Sequence, residues 1–273
     1  MPAILNITAY RFVPLEDLPS LRETFRERTR GLKGTVLLTP EGINMFLAGA
    51  IAELETFIGW LTSDARFAEI AIKRSMSDEI PFNRMLVKLK KEIITFHQPD
   101  FDRTSHPAPQ LPASELKQWY DEGREFIIVD TRNDFEYQVG TFKNAVNLQL
   151  HSFGDFAAAT EQLKNYRDMP IVTFCTGGIR CEKAAPFMAG RGFNQVYQLE
   201  GGILKYFEEC GSAHYDGECF VFDKRVALDG ELKPTQTNMC FACRSILTPE
   251  EQLSADYVLG ESCPHCVHKQ SVA

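Results

Sequence analysis

Cys175-Thr176-Gly177-Gly178-Ile179-Arg180 is the segment of this chain whose residue types and spacing point most directly to chemistry. A thiol attacks as its thiolate, and a free cysteine is mostly protonated at neutral pH. Gly177 and Gly178 let the backbone curl so that successive N–H groups face inward as an anion nest. Arg180 adds a permanent cation with a planar donor fork. A helix starting near Cys181 adds the positive end of its dipole. Thr176 and Ile179 complete the loop. A buried, inert cysteine needs neither two glycines nor an arginine within five residues. The segment therefore reads as an activated thiol, with Cys175 and Arg180 as the working pair. Cys181 follows directly and has two readings. It resolves a persulfide or sulfenate on Cys175 by forming a disulfide, or it is a small apolar residue opening a helix.

A second constellation lies near the C-terminus. Cys240-Phe241-Ala242-Cys243 and Cys263-Pro264-His265-Cys266 are separated by 19 residues. Two Cys-x-x-Cys pairs at this interval have zinc-ribbon spacing, because each short loop aims two thiolates at one tetrahedral ion. A structural zinc at Cys240, Cys243, Cys263 and Cys266 is expected, with reduced thiols or disulfides as the alternatives. His265 and His268 can substitute as ligands or simply lie exposed. Four thiolates leave no open position, so no catalytic metal is expected there. None of the eight cysteines lies in the first 174 residues, and that distribution favours reactive or metal-binding thiols in a reducing compartment over a disulfide framework.

The elements around Cys175 read as an α/β domain. Ser114 and Glu115 are placed to cap a helix running to Glu122. Phe126-Ile127-Ile128-Val129 and Ile171-Val172-Thr173-Phe174 are wholly apolar runs, as expected of parallel strands buried on both faces. Cys181 to Arg191 reads as a helix and Gln195 to Leu199 as another strand. In such sheets ligands bind beyond the carboxyl ends of the strands, and Cys175 sits at that end of its run. Pro99, Pro107, Pro109 and Pro112 mark residues 98–112 as a linker. Ahead of it, strands at Ile4–Phe12, Gly34–Thr39, Gly42–Gly49, Ala68–Ser75 and Met85–Thr95 are expected. Helices at Leu18–Leu32 and Ala52–Thr62 complete the set, the latter with Leu54, Phe57, Ile58 and Leu61 on one face. The order β-α-β-β-α-β is that of a ferredoxin-like split fold. The expected organisation is a ferredoxin-like domain at 1–97, the linker, a mostly parallel α/β domain at 113–218 and a Cys-rich segment at 219–273.

The thiol loop, Asp130-Thr131-Arg132, Glu136 with Ala145-Val146-Asn147, and Glu200-Gly201-Gly202 together resemble a rhodanese domain. Families of this architecture divide into sulfurtransferases and Cys-x5-Arg phosphatases. Only four residues separate Cys175 from Arg180, which matches the sulfurtransferase loop and suits a persulfide rather than a phosphate ester. The resemblance implies that Cys175 carries a persulfide whose charge Arg180 and the loop amides stabilise. It also implies that Asp130 and Arg132 support the site, although the two can equally form a buried ion pair tying the strand end. Lys33-Gly34-Thr35-Val36-Leu37-Leu38-Thr39-Pro40-Glu41-Gly42-Ile43-Asn44 is similar to the N-terminal signature of the rhodanese-related tRNA uridine hydroxylases. Cys175 through Ala184 is similar to that family's active-site segment, and the paired C-terminal cysteines fit. What this likeness implies is an enzyme that converts the wobble uridine of tRNA to 5-hydroxyuridine, with molecular oxygen as co-substrate and a requirement for the loop cysteine. The alternative on the same loop is a sulfurtransferase moving sulfane sulfur to cyanide or a thiol, with no need of RNA. A non-catalytic binding module is opposed by the intact Cys175 and Arg180.

A formal net charge of −8 excludes a protein that coats nucleic acid indiscriminately. Arg84, Lys88, Lys90 and Lys91 nevertheless fall in one stretch, with Lys73 and Arg74 just before it. They read either as the solvated face of a strand pair or as a basic groove for an RNA backbone. There is no flavin or nicotinamide signature and no facial His/carboxylate triad for iron, so the electron or sulfur donor is left open. No leader pattern and no run of about 18 apolar residues is present, and a cytoplasmic protein is expected.

Overall fold

Alternation of apolar residues builds the first sheet. In β1 (Ile4–Phe12) Leu5, Ile7 and Ala9 share one face, as do Val36 and Leu38 of β2 (Lys33–Thr39) and Ile43, Met45 and Leu47 of β3 (Gly42–Ala50); all are buried. Onto this face pack Phe25 of α1 (Leu18–Arg28) and the expected stripe Leu54, Phe57, Ile58 and Leu61 of α2 (Ile51–Thr62). Each such side chain taken out of water contributes about 1.5–3 kcal/mol. With β4 (Ile72–Ser77) and β5 (Met85–Leu89) the strand order is β4-β1-β3-β2-β5, antiparallel except for the β2–β5 pair. The computed structural model describes residues 4–258 and 260–267. The chain divides into two compact units, Met1–His97 and Gln98–Ala273.

Three expected boundaries move, each for a local reason. The first helix stops at Arg28 rather than Leu32. Both the amide and the hydroxyl of Thr29 bond the Phe25 carbonyl, and Leu32 then turns into the core. The fourth strand begins at Ile72 rather than Ala68, because Phe67 and Ile70 enter the core from consecutive turns. The fifth ends at Leu89 rather than Thr95. Beyond it the amide of Ile93 donates to the Glu41 carboxylate (2.9 Å) and that of Phe96 to Glu92 (2.8 Å), so these groups leave the ladder.

The second unit is centred on a five-stranded, wholly parallel sheet. Its strands are β6 (Gln110–Leu111), β7 (Ile127–Asp130), β9 (Val146–Asn147), β10 (Pro170–Phe174) and β11 (Gln195–Leu199), in the order β6-β11-β10-β7-β9. β10 is central, and its apolar run is buried on both faces. Val172 and Phe174 meet α3 (Ala113–Asp121) and α7 (Gly202–Cys210). Ile171 and Thr173 point the other way, and α6 (Cys181–Gly190) packs on β10 and β11, with α5 (Phe156–Ala159) against α6. Pro112, not Ser114, stands at the N-cap of α3. The last two residues before Pro112 leave the expected linker as an edge strand, β6, where proline is tolerated.

Past α4 (Asp134–Val139), β8 (Gly140–Phe142) pairs with β12 (Tyr215–Gly217). A hairpin of β13 (Cys219–Phe220) and β14 (Ala227–Leu228) follows. Cys219, Val221 and Leu228 are buried with the α3–α7 core. Weak periodicity hides this packing, because the hairpin arms are two residues long. A last hairpin, β15 (Asn238–Met239) with β16 (Ile246–Leu247), precedes the short α8 (Pro249–Gln252). Among the described residues no helix is long and apolar enough to cross a membrane.

Candidate active site

Cys175 leaves the carboxyl end of the central strand, and its carbonyl is held by the amide of Ile203 at the start of α7 (3.0 Å). The Thr176 carbonyl accepts from Leu204 (3.1 Å). Such close docking needs glycine at Gly202: at φ +65°, a Cβ there would stand 2.3 Å from the Cys175 oxygen and 2.8 Å from the Gly178 nitrogen. Gly178 itself has φ +99°, a turn open to glycine, and its N–H donates to the Cys175 sulfur at 3.1 Å. Thr176, Gly177 and Ile179 are half-buried, while Cys175 and Cys181 have no exposed surface.

Burial alone pushes the Cys175 thiol up. It is outweighed by the side-chain hydrogen bond of Cys181, the charge of Arg180, and the backbone amides of Arg180 and Gly178, which together bring it down to about 5. Cys181, opening α6, is driven the opposite way by burial and by the neighbouring sulfur. Its thiol also lies 3.7 Å from the Thr131 hydroxyl. One proton is thus shared unequally between two thiols, and it resides on Cys181. The buried surroundings of Cys175 favour its thiolate, because amide and guanidinium charges act on it at low dielectric.

Arg180 is fixed by Glu136, which it grips with two hydrogen bonds of 2.7 and 2.8 Å; the carboxylate has no exposed surface. Glu136 also accepts from the amide of Asn133 at the start of α4 (3.1 Å). Asn-x-x-Glu before a helix is a readable capping pattern, but its pairing with a residue 44 positions away is not. Asp130 and Arg132 pair with each other instead, at 2.6 Å and fully buried. Arg132 further donates to the Gly140 carbonyl (2.6 Å) and Asp130 accepts from the Thr141 hydroxyl (3.1 Å), so the pair ties β7 to β8. The hydroxyl of Thr176 reaches the Phe220 carbonyl at 3.4 Å, which joins the β13–β14 hairpin to the loop. Cys219 on that hairpin is pushed up to about 12, chiefly by burial, and stays a neutral thiol.

The sequence matches two described families: the UPF0176 acylphosphatase-like domain over residues 4–93 and the rhodanese-like domain over residues 112–209. A curated tRNA uridine(34) hydroxylase of Cupriavidus necator is 53% identical over 278 residues, covering 99% of each chain. That of Ralstonia nicotianae is similar to the same extent. One from Paraburkholderia xenovorans is 49% identical over 283 residues, 99% of this chain and 98% of the other. The chain belongs to the tRNA uridine(34) hydroxylase family.

In this family member the four C-terminal cysteines converge, with all sulfurs within 4.8 Å of one another. Cys240 and Cys243 lie in the turn of the β15–β16 hairpin, where the Ser245 carbonyl receives the Cys240 amide and the Cys240 carbonyl receives the Arg244 amide. Cys263 closes a similar turn, receiving the amides of Cys266 and Val267. Sulfur separations of 3.5, 3.8 and 3.9 Å compare with the ~3.8 Å edge of a tetrahedron whose metal–sulfur bonds are about 2.3 Å. The donor set fits. His265 pairs with Glu251 at 2.8 Å rather than joining the sulfurs, and His268 lies outside the described residues.

The basic stretch divides in space. Lys88 lies on the edge strand β5, and Arg84, Lys88, Lys90 and Lys91 are all exposed. Lys73 and Arg74 sit on β4, at the opposite edge of the same sheet, and Arg74 is paired with Glu55. The β5 side pairs with β2, not β4, so no single strand pair carries all six cations.

Proposed function

We propose that this chain hydroxylates uridine 34 of tRNA to 5-hydroxyuridine at the site built around Cys175, with molecular oxygen as co-substrate. The observation that carries this reading is identity of about half over essentially the full length with curated tRNA uridine(34) hydroxylases. It is supported by a loop whose amides, Arg180 and Cys181 bring the Cys175 thiol down to about 5. Cys175 is the reactive group, Arg180 and the Gly178 amide hold its negative charge, and Thr176, Gly177 and Ile179 shape the loop. Asp130 and Arg132 act at one remove, by fixing the strand end beside it. A wobble base already lies in a single-stranded loop, so placing it in a pocket costs little.

Replacing Cys175 with Ala or Ser in cells lacking the wild-type protein is expected to abolish 5-hydroxyuridine in tRNA digests. Persistence of the modified nucleoside would sink the assignment. The Cys-x4-Arg loop also favours a second reading, sulfane-sulfur transfer through a Cys175 persulfide. Vigorous thiosulfate turnover by a chain whose tRNA products are unmodified would favour it.

Cys240, Cys243, Cys263 and Cys266 are the residues that would hold zinc, which would supply cross-linking and no chemistry. Arg84, Lys88, Lys90 and Lys91 form the edge proposed to meet the RNA backbone. A tRNA substrate favours work in the cytoplasm.

A further inference from the structure

Around the sealed sulfur one aromatic ring stands open to solvent. Cys175 and Cys219 have no exposed surface, Phe220 is 2% and Arg180 6% exposed, whereas Phe222 is 51% exposed. A single exposed apolar residue is ordinary; its position here is not. The Arg180 guanidinium, whose charge bears on Cys175, lies 5.9 Å from the centre of the Phe222 ring. Phe222 is also the outermost of three rings packed edge to face: it lies 5.1 Å from Phe220 and 6.4 Å from Phe135, which are themselves 5.1 Å apart.

The turn that carries it is firmly held. The Val221 amide donates to Val226 (2.8 Å) and the Val226 amide to Asp223 (3.0 Å). Asp223 and Arg225 form a largely buried ion pair across the turn at 2.5 Å. The Thr176–Phe220 bond fastens the hairpin to the thiol loop. An exposed ring on a rigid turn loses little entropy when a flat group packs on its free face. Unpaired nucleotides are bound in this way: bases splayed from a single-stranded loop stack on Phe, Tyr or Trp and on Arg planes.

We propose that Phe222 is the stacking surface for an unpaired pyrimidine nucleotide of RNA beside the Cys175 loop. The proposal rests on the reading of the chain as a tRNA uridine hydroxylase. Kinetics of 5-hydroxyuridine formation by the full-length chain test it through Phe222→Leu, Phe222→Ala and Phe222→Trp. Loss of one base stack is expected to raise KM about tenfold in the Leu and Ala variants, with kcat less affected and with Trp restoring the wild-type value. Leu keeps the apolar bulk and lacks the ring, so a Phe222→Leu enzyme with unchanged KM overturns the proposal. Binding gives a readout independent of turnover. In Phe222→Trp, an RNA hairpin with unpaired uridines in its loop is expected to quench tryptophan emission beyond the wild-type response of Trp60 and Trp119. Should the wild-type chain make no product, the functional reading fails while this quenching still supports the stack. Product formation without extra quenching overturns the stack and leaves the functional reading intact.

Discussion

At the scale of single residues the molecule turns on how one negative charge is kept on sulfur. Cys175 is an acid whose pKa is lowered in the folded chain, to about 5. Its ionisation therefore adds stability that is fully present above the free-thiol value of about 8.5 and is lost as pH falls through about 5. Ultraviolet titration of the thiolate, taken as the difference between the wild-type chain and Cys175→Ser, should show this low midpoint. A midpoint at or above that of a free thiol would remove the basis for the chemistry. Arg180→Met should raise the midpoint by about one to two pH units through loss of the nearby cation. It should also leave the Glu136 carboxylate buried and unpaired, which costs about 3–5 kcal/mol. Thermal unfolding checks the cause: Arg180→Met with Glu136→Gln should recover part of that loss while the thiol midpoint stays high. Equal destabilisation of the single and double variants would show that Glu136 is not the orphaned partner.

At the scale of elements, the thiol loop is shaped as much by α7 as by the strand before it. The Ile203 and Leu204 amides bond the Cys175 and Thr176 carbonyls, and Gly202 lets the two backbones approach. Gly202→Ala should strain this approach, destabilise the chain by about 1–3 kcal/mol, and lower hydroxylation more than fold stability alone accounts for. The comparison is turnover at a temperature where the variant remains folded. Gly201→Ala is a useful contrast, because its added methyl would crowd Lys205, whose Cβ stands 2.6 Å away, rather than the thiol loop, and its own φ of +67° carries backbone strain as at Gly202. If both substitutions reduce turnover alike, close approach to the loop is not the reason for Gly202.

At the scale of the whole molecule the two further assignments concern the C-terminal cysteines and the basic sheet edge. Chelation at neutral pH should loosen the segment carrying Cys240 to Cys266, read as rapid proteolysis there with one zinc released per chain. The Cys175 midpoint should not move. Failure to detect stoichiometric metal in protein purified without chelator would leave the cysteines as free thiols. For the edge, replacing Lys88, Lys90 and Lys91 together with Ala should weaken tRNA binding and flatten its dependence on salt. The slope of log affinity against log salt should fall by about two to three, roughly one for each phosphate no longer neutralised. An unchanged slope would place the RNA elsewhere.

The candidate thiol loop was legible without coordinates, because most of what favours an ionised sulfur there is local: a glycine that lets an amide face the sulfur and an arginine for charge, with the Cys181 hydrogen bond added by the fold. Strand and helix identities were legible where the apolar pattern is distinct, as in the helical spacing of Leu54 to Leu61 and the unbroken apolar run Ile171 to Phe174. Two-residue strands carry no periodicity, so the β13–β14 hairpin and its place in the core were not. Nor were the approaches made at long separation: Glu136 gripping Arg180, Gly202 closing on the loop, and Phe222 standing open near Arg180; the Asp130–Arg132 ion pair, two residues apart, was one of the two readings open from sequence. The six basic residues look like one patch along the chain and lie on opposite sheet edges, because strand order is decided by pairing. Chemistry that depends on neighbours in sequence was written in the sequence alone; which distant groups tune it was decided only when the chain closed on itself.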